Sequence, residues 1–409
     1  MKRILFVDDE SRVLDGLQRM MYGTRKRWEM EFALGGEAAL KACEQKPFDV
    51  VISDMRMPDM DGSTLLGHIR DRYPSSARVI LSGYSEPELA TRAVSVAHRF
   101  LAKPCSASEL QAVIERLCAL QDLLYAPELR RIVGAIGQLP SLSITYTSLT
   151  QAVRDPGASV DKVAEIIEQD VGMSAKVLQL VNSAFFGLAQ RVTTLQGAVE
   201  YLGMETIKNL ALASEAFRVF MPHPRIPLSE CEAIQRHAHR AAAIAAVLPL
   251  EQQNRDATVV AALLHDVGSL VLAGTMPDAF CDARTLAAER GCKVFEAEEE
   301  LLGTSHAEIG AYLLGLWGLP NLAVEAIAHH HRPSRIPHSG FDCTVAVYLA
   351  DLLDEELEAH PLDTTRVDIG KIDRENLETL GLQSQYSEFR ERAMGTRAQG
   401  LCPLSRLHG

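Results

Sequence analysis

Carboxylate side chains follow short apolar runs near the start of the chain. Asp8 and Asp9 come directly after one such run, and Asp54 ends another. Apolar runs of this length, followed by turn residues, predict buried strands of a parallel sheet, and open sheets of this kind bind ligands at the carboxyl ends of their strands. Three carboxylates gathered there supply the hard oxygen ligands that Mg²⁺ prefers. The sequence therefore predicts a magnesium site at this edge of a sheet.

Two further strand ends complete the pattern. Ser82 and Gly83 end a third apolar run, and Lys103 with Pro104 ends a fourth, which contains Phe100. The order of an acidic pair, Asp, Ser and Lys-Pro resembles that of the response-regulator receiver domain. The resemblance covers about residues 1–120 and implies a doubly wound α/β fold with a five-stranded parallel sheet.

The resemblance also implies a role for each polar residue. Asp54 is expected to accept a phosphoryl group, with Mg²⁺ held by Asp8, Asp9 and Asp54. The ion would relieve the charge repulsion between the attacking carboxylate and the phosphate. Lys103 and Ser82 would contact phosphoryl oxygens, and Phe100 would change its rotamer on phosphorylation.

Histidines are concentrated in the later part of the chain. Seven of the thirteen lie between residues 237 and 331, in segments with helical periodicity. Imidazole and carboxylate together suit Zn, Fe or Mn. Polar groups from several helices converge only in a bundle core, where they need partners or a metal ion. The adjacent His265 and Asp266 are placed to bridge two metal ions.

This region resembles the HDOD family, a branch of the HD metal-dependent phosphohydrolase superfamily, from about residue 130 to 390. The resemblance rests on motifs in an early and a later half of the region: Ile166-Ile167-Glu168-Gln169-Asp170, Asn182-Ser183-Ala184-Phe185-Phe186-Gly187, Leu264-His265-Asp266-Val267-Gly268, Trp317-Gly318-Leu319-Pro320 and Ala328-His329-His330-His331. It implies an all-α fold and a metal-ligand set made of His237, His265, Asp266, His306, His330, His331 and Asp351. Asn182 and the Phe pair are expected to serve packing within the early helices, and a role in partner recognition is the alternative.

Two departures from the superfamily concern hydrolysis. Ser269 stands where hydrolytic relatives usually carry Lys, and Arg332-Pro333 follows His331 in place of a Gly-Tyr-Pro signature. These departures argue against a phosphate-binding lysine and a substrate loop of the hydrolytic type. His239 and His329 are interpreted as bystanders, and apolar spacing favours His237 over His239.

The domain organisation follows from these patterns. We expect a receiver domain at 1–120, a helical linker at 121–130, an HDOD domain at 131–390 and a tail at 391–409. Within the HDOD domain we expect an early subregion at about 131–222 and a metal-motif subregion at about 228–355. No strand pattern is evident after about residue 130, where helical spacings begin after Ser159 and Ser174. Ser106 with Glu109 predicts a capping box that opens the last receiver helix, and Pro127 is expected to mark a joint. The stripe from Val113 to Leu124 fits either a core face or a dimer seam.

Composition limits the function classes. The net charge is −13, and residues 121–409 carry all of it, with 24 basic against 37 acidic side chains. Because affinity for a phosphate backbone is mostly electrostatic, this excess argues against DNA binding. Eight scattered cysteines, no signal-peptide pattern and no evident membrane span predict a cytoplasmic protein with reduced thiols.

The preferred interpretation is a response regulator phosphorylated on Asp54 by a sensor histidine kinase. Its HDOD output would act through contacts with a downstream protein that the sequence does not name, and a homodimer stays open. The alternative is a phosphorylation-gated metal phosphohydrolase acting on a nucleotide or other phosphoester, with His265 and Asp266 as candidate catalytic residues.

Overall fold

The computed structural model describes most of the 409 residues. The described ranges are 1–82, 96–136, 159–182, 192–212, 224–359 and 371–398, without positions 122, 125 and 339, together with short pieces at 93, 140–141, 148–149, 152 and 218–219. Gly83 and the Phe185-Phe186 pair lie outside these ranges, and the Ser82 side chain is not among those described.

Five strands of the amino-terminal part form one parallel sheet. The strands lie in the order β2-β1-β3-β4-β5, which is the doubly wound order that puts the ends of β1 and β3 side by side. All five residues of β3 are buried, because helices cover both faces of a parallel sheet. The strand bounds are β1 Lys2–Asp8, β2 Trp28–Leu34, β3 Val50–Asp54, β4 Ala77–Ser82 and β5 Arg99–Ala102.

Helices alternate with these strands and continue into a linker. Ser106 and Glu109 form the predicted capping box at the start of α4. Pro127, expected to mark a joint, is the first residue of α5. The bounds are α1 Ser11–Met20, α2 Gly36–Gln45, α3 Gly62–Arg72, α4 Ala107–Leu120 and α5 Pro127–Gly134.

The remainder of the described chain is helical. The early helices are α6 Val160–Glu168, α7 Val171–Val181 and α8 Leu195–Leu212. The later helices are α9 Leu228–Val247, α10 Gln252–Leu264, α11 Val267–Thr275, α12 Pro277–Arg290, α13 Val294–Leu302, α14 His306–Leu316, α15 Asn321–His329, α16 Cys343–Ala359, α17 Lys371–Thr379 and α18 Tyr386–Ala398. The predicted fold class, an α/β receiver followed by a helical domain, is confirmed.

Three local expectations need correction. Helix α7 begins before Ser174, because the Asp170 carboxylate accepts from the Met173 amide and caps the helix. Two-residue strands, β6 Pro140–Ser141 and β7 Arg218–Val219, pair in parallel, and such short strands leave no alternating pattern. Helix α18 runs past the predicted domain end at 390 and buries Ala393.

Residues Asn254–Thr275 form the single segment in the described part of the chain with the length and composition of a membrane span. Its most apolar window is 89% buried inside the protein. The segment comprises α10 and α11 and is interrupted at His265-Asp266. Its apolar surface therefore lies against the surrounding helices, and its break carries the His-Asp motif.

The apolar stripe of α4 lies between the two parts of the molecule. Leu117 and Leu124 are fully buried, and Leu120 packs against Gly315 of α14. Buried apolar residues of the sheet and of the helical part belong to one connected core. In this arrangement the stripe is covered within the chain, by the receiver on one side and the helical domain on the other.

Candidate functional site

The acidic cluster (Asp8, Asp9 and Asp54) lies at the carboxyl end of the sheet. Parallel register places the ends of β1 and β3 next to each other, which brings Asp8 and Asp54 together. The Lys103 ammonium, just beyond β5, donates to Asp8 Oδ2 at 2.9 Å and also to Asp54 Oδ1. The second Asp54 oxygen accepts from the Arg56 amide at 2.6 Å. One cation thus joins three strand ends.

Lys103 keeps its charge in this setting. Burial alone would lower its pKa, but the hydrogen bonds that it donates to Asp54 and Asp8 outweigh burial and raise it. Asp9 is exposed beside the cluster, and Phe100 is buried in β5. The arrangement offers oxygen ligands for a hard cation such as Mg²⁺ and a fixed ammonium for an anion.

A second cluster lies in the helical part. We call it the histidine cluster, and its members are His237, His265, Asp266, His306, His330, His331 and Asp351. Helix α9 supplies one of them, the α10–α11 break supplies two, and α16 supplies another. The first residue of α14 and the two residues after α15 complete the set. The structure brings all seven sequence-predicted residues together.

The histidine cluster divides into two groups of ligand atoms, each within 4.8 Å. Asp266 groups with His306, His330 and His331, and Asp351 groups with His237 and His265. Asp266 also lies near the second group, because its Oδ2 is 3.8 Å from His237 Nε2. This carboxylate is therefore positioned between the two groups, as a bridge between two metal ions would be.

Four of the imidazoles are oriented in the same way. His265 Nδ1 lies 2.6 Å from the Ala262 carbonyl oxygen, and His330 Nδ1 lies 2.7 Å from that of Ile327. A carbonyl oxygen only accepts, so each Nδ1 carries the hydrogen and each Nε2 is the ring nitrogen that faces the cluster.

The other two imidazoles have carboxylate partners at the same atom. His306 Nδ1 lies 2.6 Å from Glu298 Oε2, and His237 Nδ1 lies 2.8 Å from Asp354 Oδ2. Both carboxylates are at most 1% exposed. Outer acceptors of this kind fix imidazole orientation and increase ligand basicity around protein-bound metals.

His330 is the sharpest single indication of a ligand site. Its ring is fully buried, and its Nε2 has no hydrogen-bond partner. Burial and the neighbouring His331 lower the pKa of His330 well below its ordinary value, so the ring is neutral. A buried unpaired lone pair is costly unless something binds it.

The spacing of the inward atoms also suits metal ions. His237 Nε2 is 3.1 Å from His265 Nε2 and 3.0 Å from Asp351 Oδ1, and His306 Nε2 is 3.1 Å from Asp266 Oδ1. Ligand atoms that each lie ~2.0–2.1 Å from one ion are roughly 3 Å apart. The residues present therefore fit a pair of transition-metal ions.

The electrostatics of the cluster follow from its mixed charges. Burial opposes protonation of His306, but the carboxylates of Glu298 and Asp266 outweigh it and raise its pKa well above the ordinary value. Burial would raise the pKa of Asp266, but the surrounding imidazoles, His265 first, hold it well below the usual range. The carboxylate is therefore ionised and available as a ligand.

A cavity of about 360 Å³ opens onto the histidine cluster. Two cations also line it, Arg284 of α12 and Lys293 just before α13. Each is paired with a carboxylate that lines the same cavity, Arg284 with Glu230 and Lys293 with Glu355. Ser269 lines the cavity as well.

Sequence reasoning missed the carboxylates that orient the ligand histidines and the two cations that line the cavity. Asp354 lies one helical turn beyond Asp351, so the i, i+3 spacing could have indicated it. Glu298, Arg284 and Lys293 belong to no recognised motif. The two histidines interpreted as bystanders lie outside the cluster: His239 contacts the carbonyls of Gln235 and Glu168, and His329 is the last residue of α15.

Comparison with protein families accounts for both clusters. The model of the response regulator receiver domain matches residues 4–115, and the model of the HDOD domain matches residues 139–333. This chain is a response regulator with an HDOD domain. The acidic cluster lies in the receiver match, and most of the histidine cluster lies in the HDOD match, with Asp351 beyond its end.

Curated relatives share parts of this response regulator. It is 28% identical over 213 residues to an uncharacterized protein of Treponema pallidum (strain Nichols), an alignment covering 51% of this chain and 40% of the relative. It is 29% identical to the transcriptional regulatory protein ZraR of Escherichia coli O157:H7, over 44% of each protein. The chain spans less than half the length of these relatives.

Two solved structures show similarity to this chain. The receiver domain of an HD domain-containing protein from Pseudomonas fluorescens Pf-5 is 31% identical, over 30% of this chain and 97% of that one, with a TM-score of 0.28. The MmoQ response regulator of Methylococcus capsulatus str. Bath is 19% identical, over 62% and 98%, with a TM-score of 0.45.

Proposed function

We propose that this response regulator receives a phosphoryl group on Asp54 from a sensor histidine kinase in the cytoplasm. The cluster geometry supports the assignment, because the Lys103 ammonium already contacts Asp54 and Asp8, where phosphoryl oxygens and Mg²⁺ would be held. Mg²⁺ bound by Asp8, Asp9 and Asp54 would neutralise charge on the transferred group. The leaving histidine of the kinase keeps its electron pair, and Asp54 gains an acyl phosphate.

The output is proposed to be signalling by the HDOD domain through contacts with another protein. The histidine cluster would serve it as a transition-metal centre of Fe, Mn or Zn. The unpaired, neutral Nε2 of His330 carries this assignment, because a bound metal ion would remove the cost of burying that lone pair. The charge of −13 on residues 121–409 supports a protein rather than DNA as the target.

The cavity favours a second candidate function, hydrolysis of a phosphoester. Arg284 and Lys293 line the same cavity as the histidine cluster and could receive phosphate oxygens. When bound, a metal pair supplies an ionised water for the attack. Both cations are already neutralised by carboxylates, and Ser269 offers no charge, so signalling through contacts stays the preferred output.

Metal analysis of purified protein tests the HDOD assignment. After expression with added Mn and Fe, we expect one to two equivalents of transition metal by elemental analysis. His330→Ala should lose most of this metal, because it removes a buried ligand. His329→Ala, the adjacent residue outside the cluster, is the matched control and should retain it. Wild-type protein with a stoichiometry near zero would refute the metal centre.

A further inference from the structure

A buried arginine of the receiver donates hydrogen bonds to the carboxyl end of helix α14. Arg99, the first residue of β5, is 7% exposed. Its Nη2 donates to the Gly315 carbonyl at 2.7 Å, and its Nε donates to the Leu316 carbonyl at 3.3 Å. The last carbonyls of a helix have no partner within the helix and carry its negative dipole end, so a cation binds well there.

A second contact closes the same junction. Arg116 of α4 donates to the Leu319 carbonyl just beyond α14. Leu120, also of α4, packs so closely that a Cβ on Gly315 would lie 2.4 Å from its Cδ2. Two charged hydrogen-bond donors and a close apolar contact therefore fix the carboxyl end of α14 to the receiver.

The other end of α14 belongs to the histidine cluster. His306 begins the helix, and its ring contacts Asp266 and Glu298. Gly268 of α11 lies against the same turn, where a Cβ would be 1.9 Å from the His306 carbonyl oxygen. Ten of the eleven residues of α14 are buried. The helix, roughly 16 Å long, therefore acts as one stiff element between two fixed ends.

The receiver side of this junction connects directly to the acidic cluster. Strand β5 runs only from Arg99 to Ala102, and the next residue is Lys103, which contacts Asp54. A phosphoryl group on Asp54 would stand between its carboxylate and Lys103, so the end of β5 must adjust. The start of that short strand is the arginine that holds α14.

We propose that metal loading of the histidine cluster is a second input to this protein, which lowers phosphorylation of Asp54 through α14. The structure shows the gathered ligand set together with the direct Lys103–Asp54 contact of an unmodified receiver. A metal that holds His306 in place thus favours the α14 position that suits the unmodified state. Coupling between two binding events is reciprocal, so phosphorylation weakens metal binding by the same factor.

This coupling depends on both sites proposed above, and labelling of the full-length chain tests it. Metal-free protein and protein loaded with Mn²⁺, then desalted, are compared in one excess of Mg²⁺ with ³²P-acetyl phosphate. The acetyl O–P bond breaks, the Asp54 O–P bond forms, and acetate leaves. We expect the Mn-loaded protein to need roughly fivefold more acetyl phosphate, or more, for half-maximal labelling.

Single-residue variants test whether the effect of Mn²⁺ on labelling depends on the histidine cluster and on the arginine contacts to α14. His265→Ala treated with Mn²⁺ should label like metal-free protein. Arg99→Gln should bind Mn²⁺ at the wild-type stoichiometry yet lose the difference between loaded and metal-free forms. Arg116→Gln repeats the test at a less buried position, should Arg99→Gln fail to fold. Arg70→Gln, on α3 and paired with Asp71, is the control and should keep the full difference.

The outcomes separate the coupling from the functions on which it depends. Absent labelling, or absent metal binding, overturns the corresponding function and the coupling with it. Normal labelling and normal metal binding, with equal or stronger labelling of the loaded form, overturn the coupling alone. The same result follows if Mn²⁺ still weakens labelling of His265→Ala, because the ion would then be acting at the receiver.

Discussion

The receiver and the helical domain each gather charged side chains into one cluster, but they do so with different atoms and different supports. The acidic cluster presents carboxylate oxygens from strand ends, and a lysine of the protein links two of them. The histidine cluster presents mainly imidazole nitrogens from helices, each of four rings being oriented by an outer acceptor. Oxygen ligands suit Mg²⁺, whereas nitrogen-rich ligands suit transition metals.

The difference also concerns how each site tolerates burial of charge. At the acidic cluster the Asp9 side chain is exposed, whereas Asp8 and Asp54 are buried. At the histidine cluster His265 and His330 are fully buried, and a cavity opens onto the other members. The exposed carboxylate suits a site at which a group is added and removed, and the buried rings suit an ion that stays bound.

The largest effect should come from the residue that defines the receiver site. Asp54→Asn removes the nucleophilic carboxylate, so labelling by acetyl phosphate should disappear completely. Asp59→Asn, in the loop that follows β3, is the matched control; Asn tolerates the positive φ of 66° found there and should label normally. Persistent labelling of the Asp54 variant would show that another residue accepts the phosphate.

Loss of a carboxylate that orients a ligand histidine should weaken metal binding less than loss of the ligand itself, but by a measurable amount. Glu298→Gln removes the carboxylate behind His306 and should weaken metal binding about 10–100-fold in a chelator competition titration. Glu300→Gln changes an exposed residue of the same helix α13 and should leave the affinity unchanged. Equal affinities for the two variants would contradict the role given to Glu298.

A glycine beside each cluster permits a direct comparison. A Cβ on Gly62 would lie 2.1 Å from the Asp54 carbonyl oxygen, and one on Gly268 would lie 1.9 Å from that of His306. Substitution by Ala should cost about 1–3 kcal/mol of unfolding free energy at each site, measured by denaturant titration. The first variant should lose labelling and the second should lose metal.

Gly16→Ala is the control for this pair, because nothing lies within 4 Å of a Cβ at that position of α1. It should be neutral or stabilise the protein by about 0.5–1 kcal/mol. If Gly268→Ala kept full metal content, close packing of α11 on α14 would not be needed for the histidine cluster.

These tests address sites that differ in how readily the sequence indicates them. Asp54 and Lys103 lie at strand ends, and the sheet order is enough to bring them together. The histidine cluster draws on five separate segments of the chain, so its membership depends on motif resemblance. The Arg99 contact joins a side chain to backbone carbonyls more than two hundred residues away. Every residue has a carbonyl, so no sequence pattern marks this contact.

Helix starts are likewise predictable from sequence only where the deciding contact is local. Ser159 caps α6 as predicted, because its hydroxyl accepts from the Lys162 amide in a purely local contact. Ser174 does not start a helix, because its hydroxyl instead donates to the Ile167 carbonyl of the preceding helix. The same residue type thus serves two roles, and the neighbouring helix decides between them.

The smallest effect expected is on stability and concerns Lys176, a buried lysine whose pKa is lowered, whereas that of Lys103 is raised. Lys176 is fully buried over the Trp317 ring, and burial lowers its pKa to about 7. The unfolded chain, with a pKa of about 10.4, binds this proton more tightly between those values. The free energy of unfolding should therefore rise with pH from about 7 to about 10.4.

Lys176→Met should flatten this dependence and raise the free energy of unfolding near pH 7 by on the order of 1 kcal/mol. Denaturant titrations at pH 6, 7.5 and 9 measure both changes. Lys162→Met, an exposed residue paired with Glu165, is the control and should leave the slope intact. An unchanged slope in Lys176→Met would assign the pH dependence to other groups.

The outer acceptors behind the imidazoles have a consequence for ion exchange. Rings already aimed by Glu298, Asp354 and two backbone carbonyls need little rearrangement when an ion arrives, so capture should be quick and cheap in entropy. Dissociation of the ion requires several imidazole and carboxylate ligand atoms to release it together in a confined space. An ion bound at such a site would therefore dissociate slowly and stay bound long after the concentration of free metal has fallen.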